Sequence, residues 1–304
     1  MAVRPATVPV GQRNVASCFV APAALLLLAF MLLPFVLAVA ISFTNLRLGS
    51  PLPVEWTGLR AYQRLFQDQA FGRALLNNLL FASVVVPLQT LLALALAVLL
   101  NQPVRGITIF RSLLFMPVIF PLSLVSVVWV LLLAPGPDGT INALLATVSL
   151  GAWQPRDFLN DTIWALPSVM LVSIWQGTGF QMIVLLAGMQ SIPKQLYEAA
   201  AGDGAGAWQR FRHITLPQLR NSLVFVMVVT SILSFRVFDQ VRIMTRGGPN
   251  DASTTVIFEA VRAAFDRAQV SRGAAMTVVF FLIVLTLTIL QRWLLRLGRP
   301  GVEK

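Results

Sequence analysis

Five stretches of this chain carry no Asp, Glu, Lys or Arg: residues 14–46, 74–104, 112–137, 162–193 and 273–291. A helix that crosses a bilayer needs about 20 mostly apolar residues. Four of the five stretches exceed that length. A water-exposed fold must cover its surface with polar groups and has no use for such runs. Only 12% of the 304 residues are charged, against about 25% in ordinary soluble domains. The expected fold class is an all-α membrane protein that crosses the bilayer several times. A transmembrane barrel is excluded, because its strands need alternating segments of about ten residues.

The same composition removes several chemistries. Lys occurs only as Lys194 and Lys304, and no Gly-Lys-Ser/Thr string exists. Without one, no P-loop can hold a nucleotide phosphate, so the chain does not hydrolyse ATP by that route. His213 is the only His and Cys18 the only Cys. A His-based metal cluster, a Ser/His pair and an intramolecular disulfide all lack their material. Cys18 reads as a small residue of the first apolar stretch. The formal charge is +11. In a soluble protein that would point to nucleic acid. Here the Arg residues flank apolar spans, so membrane lipid is the expected partner and nucleic acid is not.

The first span is expected over 17–43, with Pro22 and Pro34 inside it. Ala38-Val39-Ala40 has the look of a signal cleavage site, but the preceding apolar run exceeds the roughly 7–15 residues of a signal h-region. An uncleaved helix is the reading. The segment 44–74 holds Tyr62, Leu65, Phe66 and Phe71 among Arg and Asp, which reads as a short interfacial helix. Further spans are expected over 75–100, 108–133, 162–187, 221–241 and 273–292. Pro87, Pro117, Pro121 and Pro167 should kink them. The result is a single domain, 1–304, of six spans with both termini on one side. Lys/Arg counts of 12 and 10 on the two sides set the orientation only weakly.

The longest polar connector in the second half is 188–220. Pro193 suits a helix start. Gln195 to Ala201 is a strong helix former with little bulk. Gly202 and Gly204 interrupt it and permit positive φ. Trp208 to His213 can form a second short helix, and Pro217 redirects the chain. A helix–turn–helix element thus sits at the membrane surface. Its small Ala face allows close approach, and Glu198 and Asp203 offer acceptors.

This string resembles the EAA loop of ABC importer permeases. That pattern is Glu-Ala-Ala, three residues, Gly, nine residues, Ile-x-Leu-Pro. Here it stands as Glu198-Ala199-Ala200, Gly204 and Ile214-Thr215-Leu216-Pro217. The rest of the chain is similar to the carbohydrate-type permeases, in particular the larger membrane subunit of the maltose transporter and the first permease of the glycerol-3-phosphate transporter. Gly58-Leu59-x-x-Tyr62, Phe110-Arg111-Ser112, Pro117, Trp129, Gly139-x-Ile141-Asn142, Trp175, Phe238-Asp239, Thr245-x-Gly247-Gly248-Pro249 and Thr254-Thr255 carry that likeness. Gly202 departs from it, since relatives carry a bulkier apolar residue there.

The resemblance implies the type I ABC importer permease fold in a bacterial or archaeal cell (inner) membrane, with the motif loop and both termini cytoplasmic. It implies a non-catalytic subunit that works with a second permease, two ATPase subunits and an extracytoplasmic solute-binding protein. ATP and Mg belong to the ATPase subunits, so this chain is expected to hold no cofactor and no metal. The ATPase contact falls on Glu198, Ala199, Ala200, Asp203, Gly204, Ala205, Ile214, Leu216 and Pro217. The implied solute is a sugar or sugar-like molecule, glycerol-3-phosphate included. Positions matching the maltose-type pocket are Ser173, Gln176, Gly177 and Phe180, then Thr230, Leu233, Ser234 and Val237. Spacings of three and four put each set on one helix face. Helix packing is the alternative use of such small residues.

Arg236 and Asp239 are three apart on the expected fifth helix and would share a face. Intramembrane charge marks function by default; a place in the outer headgroup region is the other reading. His213 beside Arg212 reads as a solvated loop residue. Trp129, Trp164 and Trp175 read as interfacial anchors or sugar-stacking rings. An ion-gradient-driven secondary transporter is the alternative function, and it would need more buried ionisable groups and internal repeats.

Overall fold

Helix α1 (Val10–Leu27) runs through a π-type turn, Leu28–Leu32, into α2 (Leu33–Ser42). The computed structural model describes residues 10–297. The most apolar stretch of this first rod, within Phe19–Ser42, is 0% buried. Such a face needs lipid or another protein's apolar surface against it, since large exposed apolar patches are rare on soluble monomers. Phe35 meets Phe281 at 4.7 Å between ring centroids, which ties the rod to the last helix.

The interfacial helix is α3 (Arg60–Phe66). Phe71 belongs instead to α4 (Gln69–Leu100), which begins six residues before the expected 75. Asp68 explains the early start: its carboxylate accepts from the Ala70 amide at 3.0 Å, as an N-cap should. At the far end the Arg111 Nη2 donates to the Leu100 carbonyl at 2.6 Å, satisfying one of the orphan carbonyls of the last turn.

The third expected span is two helices, α5 (Ile107–Ile119) and α6 (Leu122–Leu132), bent by 99°. Phe120 is extended (φ −79°, ψ 139°) and Pro121 follows at φ −56°, ψ 137°. A residue before Pro is pushed out of the helical region and Pro lacks a donor. The break is therefore much sharper than a kink. Next come α7 (Thr140–Val148) and α8 (Ala165–Gln190). Asn142, 1% exposed, holds the connector between them. Its amide accepts from Trp153 Nε1 at 3.0 Å and donates to the Arg156 carbonyl at 2.9 Å.

The motif region folds as α9 (Lys194–Gly202), α10 (Ala207–Arg210), a π-type turn (Phe211–Thr215) and α11 (Leu216–Gln218). The chain then bends by 64° into α12 (Arg220–Phe235). The helix expected over 221–241 stops at Phe235. Arg236 takes a turn conformation and a new π-type turn begins at Val241. Arg236 and Asp239 thus lie on either side of a break and do not share a helix face. Helix α13 (Val256–Val261) and α14 (Val270–Leu297) complete the described chain. Among the described residues four helical stretches, the α1–α2 rod, α4, α8 and α14, are long and apolar enough to cross a membrane, or up to six spans if each bent pair counts as one.

Three core clusters hold these helices together. Leu100, Met189, Ile192 and Leu219 close the end that carries the motif region. Phe81, Val169, Val172 and Val241 fill a second cluster, and Leu65, Phe71, Val256 and Met276 fill a third at the end opposite the motif. Close packing of α8 on α5 depends on Gly179. A Cβ there would lie 2.3 Å from the Leu114 carbonyl oxygen. Backbone cannot yield as a side chain can, and overpacking costs about 1–3 kcal/mol or more. Gly179→Ala is expected to lower the melting temperature of the detergent-solubilised subunit by several degrees. Gly202→Ala, with nothing within 4 Å of its Cβ, is expected to leave it unchanged.

Candidate functional site

The motif hairpin is built by its own turn chemistry. Pro193 precedes α9 in an extended conformation (φ −58°, ψ 128°). The helix ends through Asp203, whose amide bonds the Ala199 carbonyl, and Gly204 follows at φ +79°. A left-handed residue just past the last turn is a common helix stop, and glycine takes it without strain. Ala205 N then reaches back to the Ala200 carbonyl at 2.9 Å. The second arm starts where Gly206 N donates to Gln209 Oε1 at 2.7 Å. Tyr197 and Thr215 hydroxyls, 2.9 Å apart, pin one arm to the other.

This hairpin is held from below and bare above. Thr215 and Leu219 are buried, whereas no residue of α9 is. Glu198, Ala199, Asp203, Gly204 and Pro217 are exposed, Ala200, Ala205 and Ile214 half-buried, and Leu216 37% exposed. Ala200, Asp203, Gly204, Ala205 and Ile214, together with His213, line a cleft of about 350 Å³. The His213 Nδ1 donates to the Gln209 carbonyl at 2.9 Å, a local contact. Trp208 is 69% exposed and stacks on Phe211 at 5.5 Å. Sequence reading gave it no role; an aromatic ring this bare beside an Ala face was the available signal.

A second arrangement lies within the helices. Ser173, Gln176 and Gly177 of α8 and Thr230, Leu233 and Ser234 of α12 line one cavity of about 270 Å³ together with Val237. Phe180, 37% exposed, is not among its lining residues. The polar groups are already arranged. Ser173 Oγ donates to Gln240 Oε1 at 2.7 Å. Gln240 is 1% exposed, and its Nε2 has no partner among the described residues. Thr230 receives a bond from Gln181 Nε2 and donates to the Val226 carbonyl at 2.7 Å.

Two of the expected residues have work elsewhere in the fold. Gln176 Nε2 donates to the Phe120 carbonyl at 3.3 Å, serving the break between α5 and α6. Gly177 makes room for Gln89 of α4, whose Nε2 lies 2.3 Å from where a Cβ would stand. Gln89, Gln240 and Arg236 also line the cavity and were not singled out for it from sequence. Gln89 was findable: a buried amide in an otherwise apolar span marks a polar contact between helices. Gln240 was hidden by the assumption of one continuous helix. Trp129 and Trp175 meet edge-on at 5.6 Å beside a separate apolar hollow. Among the described residues no group of three or more His, Cys, Asp or Glu could hold a metal.

Known proteins align along most of this length. A family model for the binding-protein-dependent transport system inner membrane component matches residues 69–299. The sulfoquinovosyl glycerol transport system permease SmoG of Agrobacterium fabrum is 32% identical, over 91% of this chain and 89% of that protein. The trehalose/maltose transport system permease MalF of Thermococcus litoralis is 32% identical, over 80% of each. The sn-glycerol-3-phosphate transport system permease UgpA of Yersinia pestis is 33% identical, over 79% of this chain and 80% of that protein. A chain of the bacterial ABC transporter that imports the acidic polysaccharide alginate shares the fold. Its TM-score is 0.82 at 22% identity, covering 96% of this chain and 98% of that one. With the family model covering residues 69–299 and relatives aligned almost end to end, the chain belongs to the inner membrane components of binding-protein-dependent transport systems, the non-catalytic permease subunits of ABC importers.

Proposed function

We propose that the chain forms half of the translocation pathway for a sugar or sugar-like solute. In this reading the hairpin around α9 faces the cytoplasm, as do both termini. It couples the helices to two ATPase subunits that bind ATP and Mg. A second permease supplies the other half, and an extracytoplasmic solute-binding protein delivers the solute. The chain is one domain of six spans, each bent pair counting as one.

The observation that carries the solute path is convergence. Seven positions chosen by alignment on the motif come from segments some fifty residues apart, and they face one cavity whose largely apolar wall carries a few amides and hydroxyls. Its amides and hydroxyls suit a polyhydroxylated molecule, for which a few placed polar groups set orientation. The named relatives carry sulfoquinovosyl glycerol, trehalose or maltose, and glycerol-3-phosphate. Small residues such as Gly177 serve helix approach, so the solute contacts are assigned to Ser173, Ser234 and Gln240.

The test is uptake by the reconstituted complex against a panel of sugars and glycerophosphodiesters. Ser173→Ala and Gln240→Leu each remove a hydrogen-bonding group and should raise the solute KM roughly three- to tenfold, with assembly unchanged. An unchanged KM in both variants would remove the cavity from the solute path. Uptake must also need ATP and survive an ionophore; dependence on an ion gradient alone would favour a secondary transporter.

A further inference from the structure

A charge anomaly on the face opposite the motif hairpin has a structural counterpart. Membrane proteins keep Lys and Arg away from the outer side, yet this chain carries 10 there against 12 on the other side, in the orientation proposed above. Four of these arginines, Arg47, Arg60, Arg64 and Arg272, line a single cavity of about 550 Å³. It lies where α2 ends, α3 runs and α14 begins. Arg272 is paired with Asp68. Arg47, Arg60 and Arg64 have no ion pair or side-chain hydrogen bond among the described residues. Glu55 is the one other acid in the lining, and it is exposed. The cavity therefore holds surplus positive charge.

Its depth is set by the helices that reach it. The charge-free run ends at residue 46 and another begins at 273. The cavity thus stands at the boundary between hydrocarbon and water. Trp56, 70% exposed and stacked on Phe43 at 5.2 Å, stands beside it, as aromatic rings do at headgroup level. Below it, α2 and the π-type turn before it offer a bare apolar wall, with Val36 51% and Phe30 78% exposed. We infer that this cavity holds the phosphate of an anionic phospholipid, with acyl chains lying along α2. The continuous apolar wall favours a lipid over a soluble partner's acidic surface. The proposed orientation decides only that the leaflet is the outer one.

The importer complex, purified in detergent and delipidated, is titrated with phosphatidylglycerol or phosphatidylcholine and read by native mass spectrometry. Arg47→Gln, Arg60→Gln and Arg64→Gln are combined in one variant. Its phosphatidylglycerol affinity should fall roughly a hundredfold, about fivefold for each Arg near the anionic headgroup. Phosphatidylcholine binding should not change, nor should the lipid-free melting temperature. The triple Arg→Lys variant should bind nearly as wild type. Equal phosphatidylglycerol affinity in wild type and the Gln variant overturns the proposal. Binding of inorganic phosphate or glycerol phosphate as tight as that of the lipid assigns the site to a soluble anion and overturns it too. So does a Gln variant that keeps its lipid but loses the solute-binding protein. Transport dependence on ATP is read separately, so failure here leaves the importer reading intact.

Discussion

Solute-stimulated ATP hydrolysis by the assembled importer is expected to fall to near its basal rate when Gly204 is replaced by Pro. Gly204 sits at φ +79°, and Pro is locked near −65°. The turn that ends α9 cannot form, so the two arms of the hairpin lose their relative placement. Gly204→Ala is a graded comparison: nothing lies within 4 Å of its Cβ, and only the left-handed backbone costs, about 1–2 kcal/mol. Its effect should be correspondingly smaller. Ala200→Leu acts differently. Ala200 lines the cleft between the arms, and added bulk at a docked surface costs about 1–3 kcal/mol. Glu198→Ala removes an exposed acceptor that can meet a cation on the ATPase. Each should reduce copurification of the ATPase subunits while membrane insertion stays normal. Full ATPase activity and copurification in Gly204→Pro, Ala200→Leu and Glu198→Ala alike would leave the hairpin a mere connector.

The largest loss of folded subunit is expected from Asn78→Leu. Asn78 is 0% exposed in the middle of an apolar helix. Its Oδ1 accepts from the Val256 amide at 2.8 Å, and its Nδ2 donates to the Phe235 carbonyl at 3.3 Å. One side chain thus satisfies the last turn of α12 and the first of α13. Leucine would strand both backbone groups, at about 1–3 kcal/mol each. Asn77 bonds the carbonyls of Asp251 and Thr254 at 3.0 and 2.9 Å but is only half-buried. Water can replace its contacts, so Asn77→Leu should cost less. Thermal melts of the solubilised protein followed by gel filtration separate the two. A melting temperature for Asn78→Leu equal to that of wild type would show that this amide is not what ends α12.

The buried acid nearby shows the same economy. Glu259, 0% exposed, is held by Arg267 at 2.6 Å and Arg262 at 3.2 Å. Arg262 also reaches Asp251 at 3.4 Å. A buried carboxylate persists only when paired in this way. Sequence reading placed residues 242–272 in an outer connector and had no reason to bury an acid there, because its partners lie eight residues on and one turn on in a segment without apolar periodicity.

The sequence by itself determined what depends on neighbours along the chain. Charge-free runs of 19 to 33 residues mark the helices, since in lipid each backbone group must bond within its own segment. Pro193, Gly204 and the Ala run set the hairpin for the same local reason. Tertiary structure decided where a span could break. Pro121 alone predicts a kink; the chain instead bends by 99°, and the Phe120 carbonyl at the break accepts from Gln176, 56 residues away. The stop of α12 at Phe235 likewise rests on Asn78, 157 residues away. Gln240 enters the cavity from beyond the stop of α12 and lines it together with Gln89 of the unbroken α4. Local sequence can remove a backbone bond, but only the packed neighbours decide whether what it leaves unpaired finds another.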